Sequence, residues 1–480
     1  MRNNVAALFE PGSFINGRWL TSESRFAVTN KATGETLTEL AVAGANEMQQ
    51  AIDAANKAFP AWAATPAITR GQLLRKWFNL MTKRSDELAE LLTLEQGKPL
   101  TEAQGEIGYG AGYIEWFAEE ARRIDGDILQ ANSPGQRLYV TRQPVGVVGA
   151  ITPWNFPNAM ITRKAAAALA AGCTFVVKPA KETPLSALAL AALAQEAGIP
   201  DGVINVVVGT DSRELGNVLT QSPDIAKFSF TGSTQVGKTL SADCTSTMKR
   251  VSMELGGNAP FIVFDDADID AAVAGAMVSK FRNAGQTCVC ANRFLVHEEV
   301  KAEFTEKLAA KMSALKVGNG MDEGVTIGPL INQGAAARVH KLVSTAVAQG
   351  ATLSMGGDWQ EGNYYPPTLL TDVSPQMDIV GEEIFGPVVT ILTFKDDAEA
   401  IALANATEYG LASYFYSQNI RRIHRIADAL QFGMVGINEG AISNPAAPFG
   451  GVKESGYGRE GSKYGLDDYS FLQYRCLGGI

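Results

Sequence analysis

The chain has 480 residues, 46% hydrophobic and 19% charged, the make-up of a soluble globular protein large enough for more than one core. Its net charge of -10 and sequence pI near 5.1 argue against nucleic acid as a partner. The most apolar run, Ala165 to Val177, is flanked by Lys164 and Lys178 and falls short of the roughly 20 residues that cross a bilayer. The opening MRNNVAALFEPGSF holds no leader-like apolar core. No membrane partner is expected, and the location implied is cytoplasmic.

Up to residue 121 the pattern is mainly helical, as in DELAELLTLEQG and YIEWFAEEARR. QRLYVTRQ, Gln136 to Gln143, reads as a strand. From residue 144 strand-like and helix-like segments alternate. PVGVVGAI is a strand, WNFP a turn, and MITRKAAAALAAG a helix ended by Gly172. TFVVKP, a helix over PLSALALAALAQEAG with Pro184 near its first turn, and VINVVVG follow. IAKFSFTG, STQVGKTLSADC and KRVSMEL continue the series. This alternation predicts a doubly wound, mostly parallel sheet. Ligands of such sheets sit at the carboxyl ends of strands, which singles out WNFP, KPAK and FTGST.

A second α/β stretch begins near Ala259 with APFIVF and runs to about residue 435. Within it DIDAAVAGAMVSKFRNAGQ reads as a helix leading directly into Cys288. The C-terminal YSFLQYRCLGG is strand-like. It and Gln136 to Gln143 are expected to lie apart from the main sheets. Strands without a partner in their own domain often pair across subunits.

The five cysteines, Cys173, Cys244, Cys288, Cys290 and Cys476, are odd in number and scattered, which fits a reducing compartment. His297, His340 and His424 stand far apart with no ligand spacing, so no metal site is expected. A Cys–His hydrolase stays open on spacing alone, because such partners meet only in the fold. GSTQVGKT, Gly232 to Thr239, matches the phosphate-loop pattern, and FIVFDD resembles the acidic strand end that holds magnesium. Taken alone these two segments favour a nucleotide-hydrolysing enzyme. Yet any strand-to-helix turn offers free N–H groups to a phosphate.

ITPWNFP, KPAKETP, FTGSTQVG, MELGGNAPFIV, GQTCVCANR, EEIFGPV and PFGGVKESGYGREG occur in this order. Together they resemble the NAD(P)-dependent aldehyde dehydrogenase superfamily over essentially the whole chain. The words MITRK, KFRNAGQTCVCANR and GREGSKYG are similar to the succinate-semialdehyde dehydrogenases within it. The resemblance implies an α/β fold with a Rossmann-type cofactor domain (1–121, 143–254 and 436–455), an α/β catalytic domain (255–435) and a small β oligomerisation arm (122–142 and 456–480). It also implies a homodimer or homotetramer.

The implied chemistry is self-consistent. A thiolate turns an aldehyde into a tetrahedral thiohemiacetal, and hydride loss leaves a thioester. By resemblance Cys288 is this nucleophile, and the Asn155 amide with the Cys288 N–H forms the oxyanion hole. Glu254 matches the base that activates water for hydrolysis, and Glu460 a second acid in proton relay. Trp154 and Ser233 match pyrophosphate contacts, with Gly232 and Gly237 keeping the turn and helix start open. Glu383 and Phe385 resemble the residues that hold the nicotinamide ribose and ring, and Lys178 the adenosine ribose contact. Lys181 stands where NAD-preferring members commonly carry a glutamate, so NADP is the expected cofactor and NAD the second choice. Arg163, Arg282 and Ser443 resemble the residues that hold a distal carboxylate. The implied substrate is a small carboxylated aldehyde, succinate semialdehyde or its longer glutarate homologue. Cys290 reads as a packed thiol able to form a reversible disulfide with Cys288.

Overall fold

The computed structural model describes residues 2–479. Its first sheet has at its centre five parallel strands, in the order Arg250–Glu254, Ile225–Thr231, Val147–Ile151, Thr174–Lys178 and Ile204–Val206. Alternate residues along each strand serve two different cores. Val148, Ala150, Phe175 and Val177 face the layer holding helices Ala67–Lys83, Leu100–Glu120, Ala159–Ala171 and Leu185–Glu196. Val147, Val176, Phe228 and Phe230 face helices Ala45–Ala64, Ser212–Gln221 and Thr234–Cys244. Strands covered on both faces lose their polar–apolar alternation, which explains the continuous apolar runs in the sequence.

The chain order reverses between Val147–Ile151 and Ile225–Thr231, so the crevice between their carboxyl ends is the sheet's switch point. At one edge Gly456–Tyr457, expected with the C-terminal arm, pairs instead with Met253 and Glu254. At the other edge the N-terminal segment, expected to be helical, contributes Phe14–Ile15 and Arg18–Trp19.

The second sheet has seven strands, in the order Thr352–Met355, Thr368–Thr371, Val388–Phe394, Ala291–His297, Ala259–Val263, Ala412–Tyr416 and Met434–Ile437. All its neighbours are parallel except the first pair. The two sheets are joined directly by residues 255–258. Ser455 pins this link: its hydroxyl donates to Gly256 O at 2.7 Å and accepts from Gly410 N at 2.9 Å, while its carbonyl accepts from Leu255 N at 3.1 Å.

The strand-like arms find partners within their own chain. Ser470–Gly478 pairs antiparallel with Gln136–Pro144 along its length, and Asp127–Leu129 adds a third strand. Ile128, Leu472, Tyr474 and Leu477 of this sheet are exposed. No helix among the described residues is long and apolar enough to cross a membrane.

Candidate active site

The carboxyl ends of the first sheet face the amino ends of the second across a cavity of about 390 Å³. Asn155, Thr231 and Glu254 line it from one side, and Cys288, Glu383 and Phe385 from the other. The link between the sheets approaches Cys288 so closely that a Cβ on Gly257 would lie 2.3 Å from the Cys288 carbonyl oxygen. Only glycine allows this approach.

The approach to Cys288 differs from the sequence expectation of a helix running into it. That helix, Ile269–Phe281, stops seven residues short of the cysteine. Asn283, Ala284 and Gly285 take φ values of +53°, +54° and +77°, a left-handed turn that two non-glycine residues enter at a cost. Tertiary contacts hold it. Asn283 N donates to Glu102 at 2.7 Å, and its side-chain amide donates to Asn155 O at 3.0 Å. Cys288 is half-buried, and burial pushes its thiol up to about 12, with nearby Arg163 pulling the other way.

Asn155 is anchored twice through its carbonyl, by Asn283 and by buried Lys98, whose Nζ donates at 2.8 Å. Lys98 is ion-paired at 2.5 Å with buried Glu106, which in turn accepts from Asn158 N and Ala159 N at the start of helix Ala159–Ala171. The Asn155 side-chain amide donates to Gln286 O at 3.0 Å, and its Oδ1 has no partner. It therefore reaches the segment that carries Cys288.

Two buried carboxylates respond oppositely to similar surroundings. Neither oxygen of Glu254 has a hydrogen-bond partner. Burial, with Glu460 nearby, holds its carboxyl well above the usual range despite Arg163 and Lys164. Glu460 is ion-paired with both Arg163 and Lys164. Burial alone raises its carboxyl, but these two cations bring it below the usual value. Glu460 thus stays charged while Glu254 favours its protonated form.

The switch-point crevice opens into a groove of about 840 Å³ that shares Trp154, Thr231, Gly232 and Ser233 with the Cys288 cavity. Lys178 and the exposed Lys181 line it. Burial lowers the Lys178 ammonium to about 8, against the pull of Glu182. Ser233 opens helix Thr234–Cys244 without using its hydroxyl as a cap, which leaves the N-terminal N–H groups free for an anion. A Cβ on Gly237 would lie 2.3 Å from Leu255, so the glycine lets this helix pack onto the link beside Glu254. At the far end Glu383 accepts from Gly257 N at 2.9 Å, and burial raises its carboxyl to about 7. Trp154 and Phe385 meet edge to face at 5.7 Å. A long groove with cations at one end, a helix start at the middle and a carboxylate at the other suits a dinucleotide.

The phosphate-loop match is not used as one. Lys238 points outward and pairs with Glu454, and the Thr239 hydroxyl bonds back to Gln235 O within its helix. Asp266 of FIVFDD accepts from Ser417 and Arg422. No cluster of three or more potential metal ligands occurs among the described residues.

A separate cavity of about 540 Å³ is lined by Thr287 and Val289, the neighbours of Cys288 in sequence, where Arg282 and Ser443 meet Tyr414 and Glu102. The Arg282 guanidinium stacks over Phe156 at 4.7 Å. Arg163 lies behind this space rather than in its lining. Its Nε faces Glu460, its guanidinium sits 4.5 Å over Phe449, and Nη1 and Nη2 are buried without hydrogen-bond partners. Cys290 is buried two residues beyond Cys288, and both are free thiols.

Several lining residues carry no motif in the sequence. Arg338 donates to the Glu383 and Ile384 carbonyls and so props up the loop before Val388. Glu102 lines the Arg282 cavity, and Lys98 holds the Asn155 carbonyl from outside the lining; both lie far from Cys288 in the chain. Arg213 adds a third cation to the dinucleotide groove. An exposed arginine at a helix start gives no local signal.

Residues 19–474 match the sequence model of the aldehyde dehydrogenase family. The chain is 55% identical to the glutarate-semialdehyde dehydrogenase of Pseudomonas putida KT2440, over 99% of this chain and all of that one. It is also 55% identical to the NADP(+) succinate-semialdehyde dehydrogenase of Escherichia coli K12, over the whole of both. A crystal structure of an NADP-dependent enzyme of E. coli superimposes with a TM-score of 0.97 at 55% identity, covering 98% of this chain and 99% of that one. With Asn155, Glu254 and Cys288 brought together at one cavity between two sheets, this chain belongs to the aldehyde dehydrogenase family and is an NAD(P)-dependent aldehyde dehydrogenase.

Proposed function

We propose that the chain oxidises succinate semialdehyde to succinate, with NADP preferred over NAD. The observation that carries this reading is the Arg282–Ser443 cavity, which is lined by Thr287 and Val289 on either side of Cys288 in sequence and shares no residue with the dinucleotide groove. A carboxylate held by Arg282 and Ser443, with the open Nη donors of Arg163 behind, sets the distance to the aldehyde carbon.

In this reading Cys288 Sγ adds to the aldehyde carbon, and the new oxyanion accepts hydrogen bonds from the Asn155 amide and the Cys288 N–H. Bound NADP, held along Lys178, Ser233 and Glu383, supplies the two-electron acceptor for the oxidation to a thioester. Glu254 then takes a proton from the water that attacks the thioester, releasing acid and thiol. Glu460, fixed in its charged form by Lys164, passes the proton onward. Lys181 and Arg213 favour a cofactor bearing an extra phosphate. The exposed apolar side chains of the three-stranded arm suit pairing of copies into a dimer or tetramer.

Glutarate semialdehyde is the second reading, favoured by the equally similar P. putida relative. One methylene separates the two substrates and is worth only about 1–3 kcal/mol in kcat/KM. Steady-state rates with both semialdehydes and a neutral aldehyde, each with NADP and NAD, test the proposal. The highest kcat/KM is expected for succinate semialdehyde with NADP. A neutral aldehyde used equally well sinks the carboxylate site.

A further inference from the structure

Lys280 is fully buried in the last turn of helix Ile269–Phe281, and its Nζ has no hydrogen-bond partner. A buried ammonium without a partner is costly. The titratable group acting on it is the thiol of Cys290, whose Sγ lies against the same residue, donating to Lys280 O at 3.6 Å and to Ala291 O at 3.5 Å. Cys290 retains 7% exposure, a narrow opening that a small oxidant can use. Nothing in the proposed catalytic cycle employs either residue.

We propose that Lys280 and Cys290 form an oxidative modification site, in which a hydroperoxide drives formation of a covalent bond between Nζ and Sγ. The reaction begins from the neutral Lys280 amine, which takes the proton of Cys290 Sγ. The thiolate attacks one peroxide oxygen, the O–O bond breaks, and the leaving oxygen takes the ammonium proton and departs as water. Sulfur, now a sulfenic acid, has lost two electrons to the peroxide. The neutral amine attacks that sulfur, the S–OH bond breaks, and hydroxide takes the amine proton as a second water. Thiol, amine and peroxide thus give a sulfenamide and two waters. Burial lowers the affinity of Lys280 for its proton and raises that of Cys290, which keeps the amine available for the second step.

The bond joins the end of the helix that precedes Arg282 to the segment two residues beyond Cys288. It locks the left-handed turn between them. This goes beyond the catalytic reading and differs from a disulfide between the two cysteines, because it spares Cys288.

Peptide mapping by mass spectrometry of the full chain after limited hydrogen peroxide tests the idea. The expected product is a segment ending in residues 280–282 joined to the peptide of residues 283–293, with two hydrogens lost. Trypsin no longer cuts after Lys280, and fragmentation places the bond on Cys290. The join is expected to persist in Cys288→Ser and to vanish in Lys280→Met and in Cys290→Ser. A mild thiol reductant is expected to release it. Oxygen added to Cys290 without a join, or a Cys288–Cys290 disulfide as the sole product in wild type, overturns the proposal. The wild-type map decides the matter even if a variant fails to fold.

Discussion

The two main sheets use opposite ends for chemistry. In the first, site residues gather at or just after strand ends: Trp154 and Asn155 after Val147–Ile151, Lys178 and Lys181 at and after Thr174–Lys178, Gly232 and Ser233 after Ile225–Thr231, and Glu254 at the end of Arg250–Glu254. In the second, Cys288 precedes Ala291–His297 and Glu383 and Phe385 precede Val388–Phe394. The carboxyl-end rule for open α/β sheets holds for the sheet that fits a dinucleotide. It fails for the sheet that supplies the nucleophile, because that sheet faces the other and presents whichever end is nearer. Catalytic parts of one reaction can therefore come from contrary ends of two similar sheets.

Substitutions on each side sharpen this division. The largest effect is expected from Glu254→Gln at a carboxyl end of the first sheet. Turnover should fall about 10²–10⁴-fold, while the first burst of reduced cofactor, seen by stopped-flow absorbance, survives. Absence of the burst would assign Glu254 to thiol activation instead. Burial pushes the Cys288 thiol up to about 12 and raises the Glu254 carboxyl as well, so both give up their protons more readily as pH rises. The wild-type rate should therefore climb into the alkaline range.

Asn155→Ala is expected to lower kcat about 10²–10³-fold with KM little changed; a change confined to KM would reduce the residue to a structural role. On the second sheet's side, Arg282→Ala should raise KM for a carboxylated aldehyde about 10–100-fold, the worth of one charge-assisted hydrogen bond. KM for a neutral aldehyde should not move, and equal losses on both substrates would refute the assignment. The smallest effect is expected from Lys181→Glu, which should weaken NADP about fivefold, roughly 1 kcal/mol at an exposed site. NAD kinetics should hold steady; if NADP is unaffected, Lys181 plays no part in cofactor choice.

Much of this was legible in the sequence because parallel strands buried on both faces leave unmistakable apolar runs. The turns after them are short and rich in glycine and proline. The motifs carrying Asn155, Glu254 and Cys288 also converge as the family resemblance implies. What local pattern misses is whatever depends on long-range closure. DIDAAVAGAMVSKFRNAGQ has helical periodicity, yet its last residues turn left-handed because Glu102 and Asn155 capture Asn283. The N-terminal edge strands are two residues each, too short to show an alternation. The arms look partnerless because Gln136–Pro144 and Ser470–Gly478 are distant in the chain, although they bond to each other.

The bolt at Ser455 has a mechanical consequence. Cys288 rides on one sheet and Glu254 on the other, and residues 255–258 are the direct strand-to-strand bridge between them. Any rotation of one sheet on the other acts as a lever that changes the gap between nucleophile and base. By clamping Gly256 and Gly410 together, one hydroxyl sets the zero of that lever.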